Sequence, residues 1–275
     1  MLTAFVGCAG VGKNTIIKEL IGRYPEVYEI FPTLTTRAMR PGEVEGNPYH
    51  YVSKEEFRRL IDEGEIYEWQ MIHDGNYYGG SRQVLRKHLA GGKQLIKDID
   101  VLGARTYKEE LGDITKILSV FLYVEDLNEL LERMRGRGDS EADIKKRAER
   151  FPMEMAESVD CDYLVNNEDV GDTTDAVNCL LRNEETLGGL YRPCAGQLPS
   201  PQDIKDATKR LALGKAQPVE LCFNGNELLI TRGASDYIAA RRNKAFVQKK
   251  IRCRTDRSLK PCEIDLQKWE ELLAR

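Results

Sequence analysis

Residues 2–6 form a short apolar run, and Gly7-Cys8-Ala9-Gly10-Val11-Gly12-Lys13-Asn14-Thr15 follows at once, with an amphipathic stretch over 16–22 beyond it. This order predicts a strand, a glycine loop and a helix, the context that a phosphate-binding loop requires. Gly7, Gly10 and Gly12 let backbone N–H groups point inward around phosphate oxygens with no Cβ in the way. The helix N-terminus adds partial positive charge, and Lys13 reaches the outer phosphates as a point charge. The general pattern places Ser or Thr directly after the lysine to help hold Mg²⁺; here Asn14 intervenes and Thr15 carries the hydroxyl.

A chain of 275 residues exceeds one ordinary domain and can bury a sizeable core. No apolar run is long enough for a bilayer, and the N-terminus lacks a signal-peptide pattern, so a cytoplasmic protein is expected. Seven scattered cysteines without a CxxC pair suggest reduced thiols, not a disulfide framework or a zinc site. Net charge is −4 but unevenly placed: residues 190–275 carry 17 Lys and Arg against 10 Asp and Glu, leaving 1–189 strongly acidic. That asymmetry suggests two units with different partners.

Further along, Thr33-Leu34-Thr35-Thr36-Arg37-Ala38-Met39-Arg40-Pro41-Gly42-Glu43 places two arginines three apart in a polar loop, able to converge on a phosphate or carboxylate. On spacing alone a solvated loop is equally consistent. Thr-Thr-Arg-x-x-Arg-Pro-Gly-Glu, the later Tyr49, and Val52-Ser53-Lys54-Glu55-Glu56-Phe57 resemble the monophosphate-binding segment of guanylate kinases. The likeness continues in order through Glu68, Gly75-Asn76-Tyr77-Tyr78-Gly79, Asp98-Ile99-Asp100, the arginine-rich Arg133–147 region and Asp162-Tyr163-Leu164-Val165-Asn166-Asn167. It covers residues 1–183. Locally, Ser53 with Glu56 predicts a capping box for a helix closed by Gly64.

The resemblance implies an α/β fold: a P-loop parallel sheet flanked by helices, with inserted nucleotide-binding and lid segments. It implies ATP on Gly7, Gly10, Val11, Gly12, Lys13, Asn14 and Thr15, with Mg²⁺ oriented by Asp98 directly or through water. Lys13, Asp98 and the lid arginines Arg133, Arg137 and Arg147 form the implied catalytic set. Thr33, Arg37, Arg40, Tyr49, Glu68, Tyr78 and Asp100 are the implied acceptor residues, for GMP or dGMP. The choice of base can be argued from inventory. Guanine offers N1–H and N2–H₂ donors beside an O6 acceptor, and ionised carboxylates only accept, so Glu68 and Asp100 suit guanine. In the family, small hydroxyl residues meet O6. Thr33 fits one such position; the other holds Gly80, with Ser81 beside it.

Residues 184–201, with Gly188-Gly189, Pro193, Pro199 and Pro201, read as a linker. Beyond it, 202–275 reads as a small basic α+β domain: a helix to 213, strands 219–223 and 227–231 about Asn224-Gly225-Asn226, a helix 236–244, a strand 247–254, and a last helix capped by Asp265. This order resembles the ParB/sulfiredoxin-like domain, but Gly233-Ala234-Ser235-Asp236 stands where that family has its basic motif, so no chemistry is carried over. Arg241, Arg242, Lys244, Lys249 and Lys250 suit either nucleic-acid phosphates or contact with the acidic unit. The expected activity is transfer of a phosphoryl group from MgATP to GMP. Rivals are a kinase for another phosphorylated acceptor, a scaffold with a decayed loop, and a nucleotide-sensing regulator.

Overall fold

The computed structural model describes residues 1–8, 10–72, 75–136, 138–245, 248–252, 256–262, 269, 271 and 273–274. In chain order the elements are β1 (Leu2–Gly7), α1 (Lys13–Arg23), β2 (Tyr28–Ile30), β3 (Thr33–Thr35), β4 (Val44–Glu45), β5 (Pro48–Tyr51), α2 (Lys54–Asp62), β6 (Ile66–Ile72), β7 (Asn76–Ser81), α3 (Arg82–Ala90), β8 (Gln94–Asp98), α4 (Val101–Leu111), β9 (Ile117–Tyr123), α5 (Leu127–Gly136), α6 (Glu141–Glu157), β10 (Tyr163–Asn166), α7 (Val170–Thr186), β11 (Arg192–Pro193), α8 (Pro201–Ala212), β12 (Val219–Phe223), β13 (Leu228–Arg232), α9 (Ala234–Arg242) and β14 (Lys249–Arg252). They pack as two units, residues 1–6 with 17–119, and residues 7–16 with 120–275.

In the first unit β8 pairs in parallel with both β1 and β2. Leu2, Ala4, Phe5, Leu95 and Ile96 are fully buried, as strands covered on both faces require. Leu2, Phe31, Leu85, Leu95, Tyr107 and Leu111 form one core cluster, with Tyr67 packed against it. A second sheet runs β4-β5-β3-β7-β6. Its cover is α2, which starts where the sequence signals: the Ser53 hydroxyl accepts from the Glu56 N–H at 3.0 Å. Gly64, at φ 70°, follows the helix end.

In the second unit the strands run β9, β10, β14, β12, β13, β11, parallel except for the β12–β13 hairpin. Gly225 at φ 98° makes that hairpin turn, and the Asn224 side chain accepts from the N–H groups of Asn226 and Glu227. The helix expected at 236–244 begins two residues earlier, at Ala234. Gly233, at φ 80°, takes its N-cap, while buried Asp236 accepts from Arg210 at 2.7 Å. Asp265 and the start of the helix expected after it lie outside the described residues.

The segment expected as a linker is packed. α7 runs to Thr186, Leu190 and Tyr191 are buried, and Arg192–Pro193 pairs with β13. Gly188 and Gly189, at φ 60° and 72°, turn the chain so that Tyr191 enters the core. There the Tyr191 carbonyl accepts from Trp269 Nε1 at 2.9 Å, and its N–H donates to the Tyr237 hydroxyl at 3.0 Å. Pro193 is tolerated because β11 is an edge strand. Strand β14 lies between β10 and β12, so the basic C-terminal stretch shares a sheet with β9 and β10.

Candidate active site

The phosphate loop belongs to the second unit. Gly7, Gly10 and Gly12 take φ 141°, 90° and 97°. A Cβ on Gly7 would fall against the Leu122 carbonyl; one on Gly10 would stand 2.9 Å from Met134 Cγ, and one on Gly12 2.7 Å from Asn167 Nδ2. Conformation and space therefore both demand glycine. The Ile16 N–H donates to the Gly12 carbonyl at 3.0 Å, opening α1. Lys13 Nζ donates to the carbonyls of Gly7 at 2.7 Å and Cys8 at 3.4 Å, so the ammonium lies folded over the loop's own acceptors. Asn14 and Thr15 are exposed at the first turn of α1.

Asn167, just past β10, braces the loop: its Nδ2 donates to the Val11 carbonyl at 2.7 Å, and its buried Oδ1 has no partner among the described residues. Arg133 on α5 donates to the carbonyls of Asn167 at 2.8 Å and Glu168 at 3.2 Å and pairs with Glu129. Arg147 on α6 faces Asp139 at 3.7 Å. Arg137 lies outside the described residues. Cys8 is buried, and desolvation together with Glu154 pushes its thiol up to about 12. Both features suit a filler of the loop better than a reactive thiol.

The residues expected to bind the acceptor belong to the first unit. One cavity of about 410 Å³ is lined by Thr33, Glu68, Tyr78 and Asp100, four residues that the sequence picked out, and by Lys97 and Tyr107, which it did not. Burial pushes the Glu68 carboxyl up, while the Tyr107 hydroxyl and Lys97 pull it back. Asp100 also caps α4, accepting from the Gly103 N–H at 2.7 Å. Asp98 ends β8 with an exposed side chain. Lys97 Nζ donates to the Thr33 hydroxyl and, at 3.1 Å, to the Phe31 carbonyl.

A second cluster forms around Arg37. Its guanidinium is forked on Glu43 at 2.7 and 3.1 Å and stands 5.5 Å from the Tyr49 ring centre; the Tyr49 and Tyr78 rings meet edge to face. Glu43 also accepts from the Arg40 N–H at 2.6 Å and the Tyr51 hydroxyl at 2.7 Å. Hydrogen bonds from Arg37 and Arg40 hold the Glu43 carboxyl down to about 2. Arg40 itself is exposed.

Gly80 has a steric cause. A Cβ there would stand 2.6 Å from Tyr67 Cε1 and nearer still to Cζ and Oη. The tyrosine ring occupies the space that a side chain at position 80 would need.

A family profile described as Guanylate kinase matches residues 2–184. The chain belongs to the guanylate kinase family. The guanylate kinase of Idiomarina loihiensis is 42% identical over 163 residues, 58% of this chain and 76% of that protein. The guanylate kinase of Synechocystis sp. is 37% identical over 185 residues, 67% of this chain and 94% of that protein. The crystal structure of guanylate kinase from Anaplasma phagocytophilum aligns at 27% identity over 68% of this chain and 86% of that one, with a TM-score of 0.45. The family match ends inside α7.

Nucleic-acid contact by the basic stretch beyond it finds no support in these relatives. Arg241, Lys244 and Lys249 line a concave space of about 610 Å³ with Glu184 and Tyr237. No described helix is long and apolar enough to cross a membrane.

Sequence reading missed Lys97, Tyr67, Tyr107, Glu43 and Asn167. A lone lysine inside the apolar run Leu95-Ile96-Lys97 was the one available local signal. Tyr67, Tyr107 and Asn167 act through contacts between distant segments, whereas Glu43 acts on Arg37, Arg40 and Tyr51 within its own loop and strand.

Proposed function

We propose that this guanylate kinase family member transfers the γ-phosphoryl group of ATP to the phosphate of GMP or dGMP. An oxygen of the acceptor phosphate attacks Pγ, the bond from Pγ to the bridging oxygen breaks, and ADP leaves with the electron pair. The observation that carries the reading is the cavity that unites Glu68 and Asp100 with Thr33. Carboxylates accept from guanine N1–H and N2–H₂, and the hydroxyl donates toward O6.

Such transfer needs little covalent work from protein, mainly positioning and charge neutralisation. The glycine loop would present its N–H groups to the ATP phosphates. Lys13 would exchange the carbonyls of Gly7 and Cys8 for β- and γ-phosphate oxygens. Arg37 would trade Glu43 for the acceptor phosphate, with Arg40, Tyr49 and Tyr78 beside it. Arg133, Arg137 and Arg147 would stabilise charge on the group in transit.

The donor set fits Mg²⁺. Asn14, Thr15 and Asp98 offer oxygen ligands, and among the described residues no group of three or more His, Cys, Asp or Glu is placed to cage a metal alone. Mg²⁺ held largely by nucleotide phosphates and water would neutralise charge on the phosphates. A cytoplasmic location accords with cysteines that form no disulfide at positions 8, 161, 179, 194, 222 and 262.

The test is a coupled assay of ADP release over a panel of nucleoside monophosphates. GMP or dGMP should be the best acceptor, with AMP at least about a hundredfold worse in kcat/KM. Comparable turnover of AMP, or of no monophosphate, would refute the assignment; preference for another phosphorylated acceptor would favour the rival kinase reading.

A further inference from the structure

The base cavity contains a cation. We infer that Lys97 is a specificity-determining residue of the acceptor site: with the Thr33 hydroxyl to which it donates, it forms the donor side that meets a carbonyl oxygen at the 6-position of a purine. The inference rests on the guanine reading and names the residue that enforces it.

Three observations converge. First, the cavity is lined by both acceptors and donors. Glu68 and Asp100 supply acceptors, while Lys97 and Thr33 supply donors. A base that fits must pair donors with the first and an acceptor with the second. Guanine does. Adenine fails on both counts, because its amino group would face Lys97 and Thr33 and its bare N1 a carboxylate.

Second, position 80 cannot supply a hydroxyl. The Tyr67 ring fills the space where a Cβ would stand, so a side chain there is excluded, and the cavity itself is lined by other donors. Lys97 is the cationic residue lining the cavity.

Third, the hydrogen bonding is directional. Thr33 Oγ1 accepts from Lys97 Nζ, which leaves the threonine O–H to donate onward. Nζ carries three N–H groups, and the structure assigns two of them, to the Phe31 carbonyl and to Thr33. Glu68 helps to hold the charge. Burial draws Lys97 down to about 8, with Glu68 and Asp98 opposing, so the ammonium is still the main form at neutral pH.

The experiment deletes one partner from each side. Wild type, Lys97→Met and Lys97→Arg are assayed at pH 7 with ATP and three acceptors: GMP, IMP and 6-thio-GMP. IMP keeps O6 and lacks the 2-amino group. 6-Thio-GMP keeps the amino group and N1–H but replaces O6 with sulfur, a weak acceptor.

Lys97→Met should raise KM for GMP and for IMP by a common factor of roughly 10 to 100, the range of a charge-assisted hydrogen bond, and change kcat by less than about threefold. It should affect 6-thio-GMP far less, so that the wild-type preference for GMP over 6-thio-GMP collapses. Lys97→Arg, which keeps the cation, should recover part of that preference. Equal losses on GMP and 6-thio-GMP, or none on either, would overturn the role of Lys97 while leaving the kinase assignment standing. Wild type that turns over no GMP would overturn the kinase assignment, and the inference with it.

Discussion

Replacing Gly80 with alanine tests the packing of β7 against Tyr67. The new Cβ would stand 2.6 Å from Tyr67 Cε1, with Cζ and Oη closer. Ordinary carbon contacts begin near 3.5 Å, so the ring has to retreat by about 1 Å or more. It has little room to do so. Tyr67 meets the Tyr107 ring edge to face with centroids 5.3 Å apart, and it packs against the cluster of Leu2, Phe31, Leu85, Leu95 and Leu111. Overpacking of this kind costs about 1–3 kcal/mol. Gly80 does not take a positive φ, so backbone strain adds nothing and the penalty is steric. Tyr67→Leu removes the offending atoms. In urea denaturation, Gly80→Ala should therefore be destabilising in the parent and nearly neutral in the Tyr67→Leu background, a coupling of about 1–2 kcal/mol. Additive effects would show that the tyrosine does not enforce glycine.

Other expectations follow from the same geometry. Lys13→Met should abolish turnover while leaving the circular-dichroism spectrum and GMP affinity unchanged; near-parental kcat would remove Lys13 from catalysis. Lys97 releases its proton near 8 when folded and near 10.5 when unfolded, so the unfolded chain binds more protons in that window and stability rises with pH across it. Relative to Lys97→Met, the parent should gain up to about 3 kcal/mol between pH 8 and 10.5 in denaturant titrations, and a flat difference would refute the buried ammonium. Cys8, with its thiol raised to about 12, should resist iodoacetamide at pH 8 in the folded protein, as peptide mass spectrometry would report. A chain ending at Arg182 would lose Tyr191, Trp269 and the β14 partner of β10; it should be insoluble or melt far lower, and a stable, active truncation would contradict the shared sheet.

Much of the site was legible because its signals are local. The phosphate loop, the Ser53 cap and the Asn224-Gly225 turn each depend on residues within a few positions of one another. Thr33, Glu68, Tyr78 and Asp100 are implied by the resemblance to guanylate kinases, and the structure gathers them in one cavity. Lys97 escaped because a charged residue in an apolar strand ordinarily faces solvent. Gly80 could be seen as a departure but not explained, since its cause lies across the β6–β7 hairpin. The packed segment at 190–193 misled because Gly and Pro report on local turns, whereas the burial of Tyr191 is decided by Tyr163, Tyr237 and Trp269.

The placement of β14 has a consequence for biosynthesis. β10 is complete at residue 166, yet its neighbour on one side comes from residues 249–252. At a synthesis rate of roughly 5–20 residues per second, the ribosome needs roughly 4 to 17 s to make the intervening stretch. Throughout that interval β10 presents an unpaired edge, the kind of surface that recruits strands from other nascent chains. The hairpin of β12 and β13 emerges first and cannot close the sheet, because β14 has to enter between it and β10. Completion of the sheet around β10 therefore waits until residues 249–252 are made, and a chaperone that shields sheet edges over that interval would improve the yield of native protein.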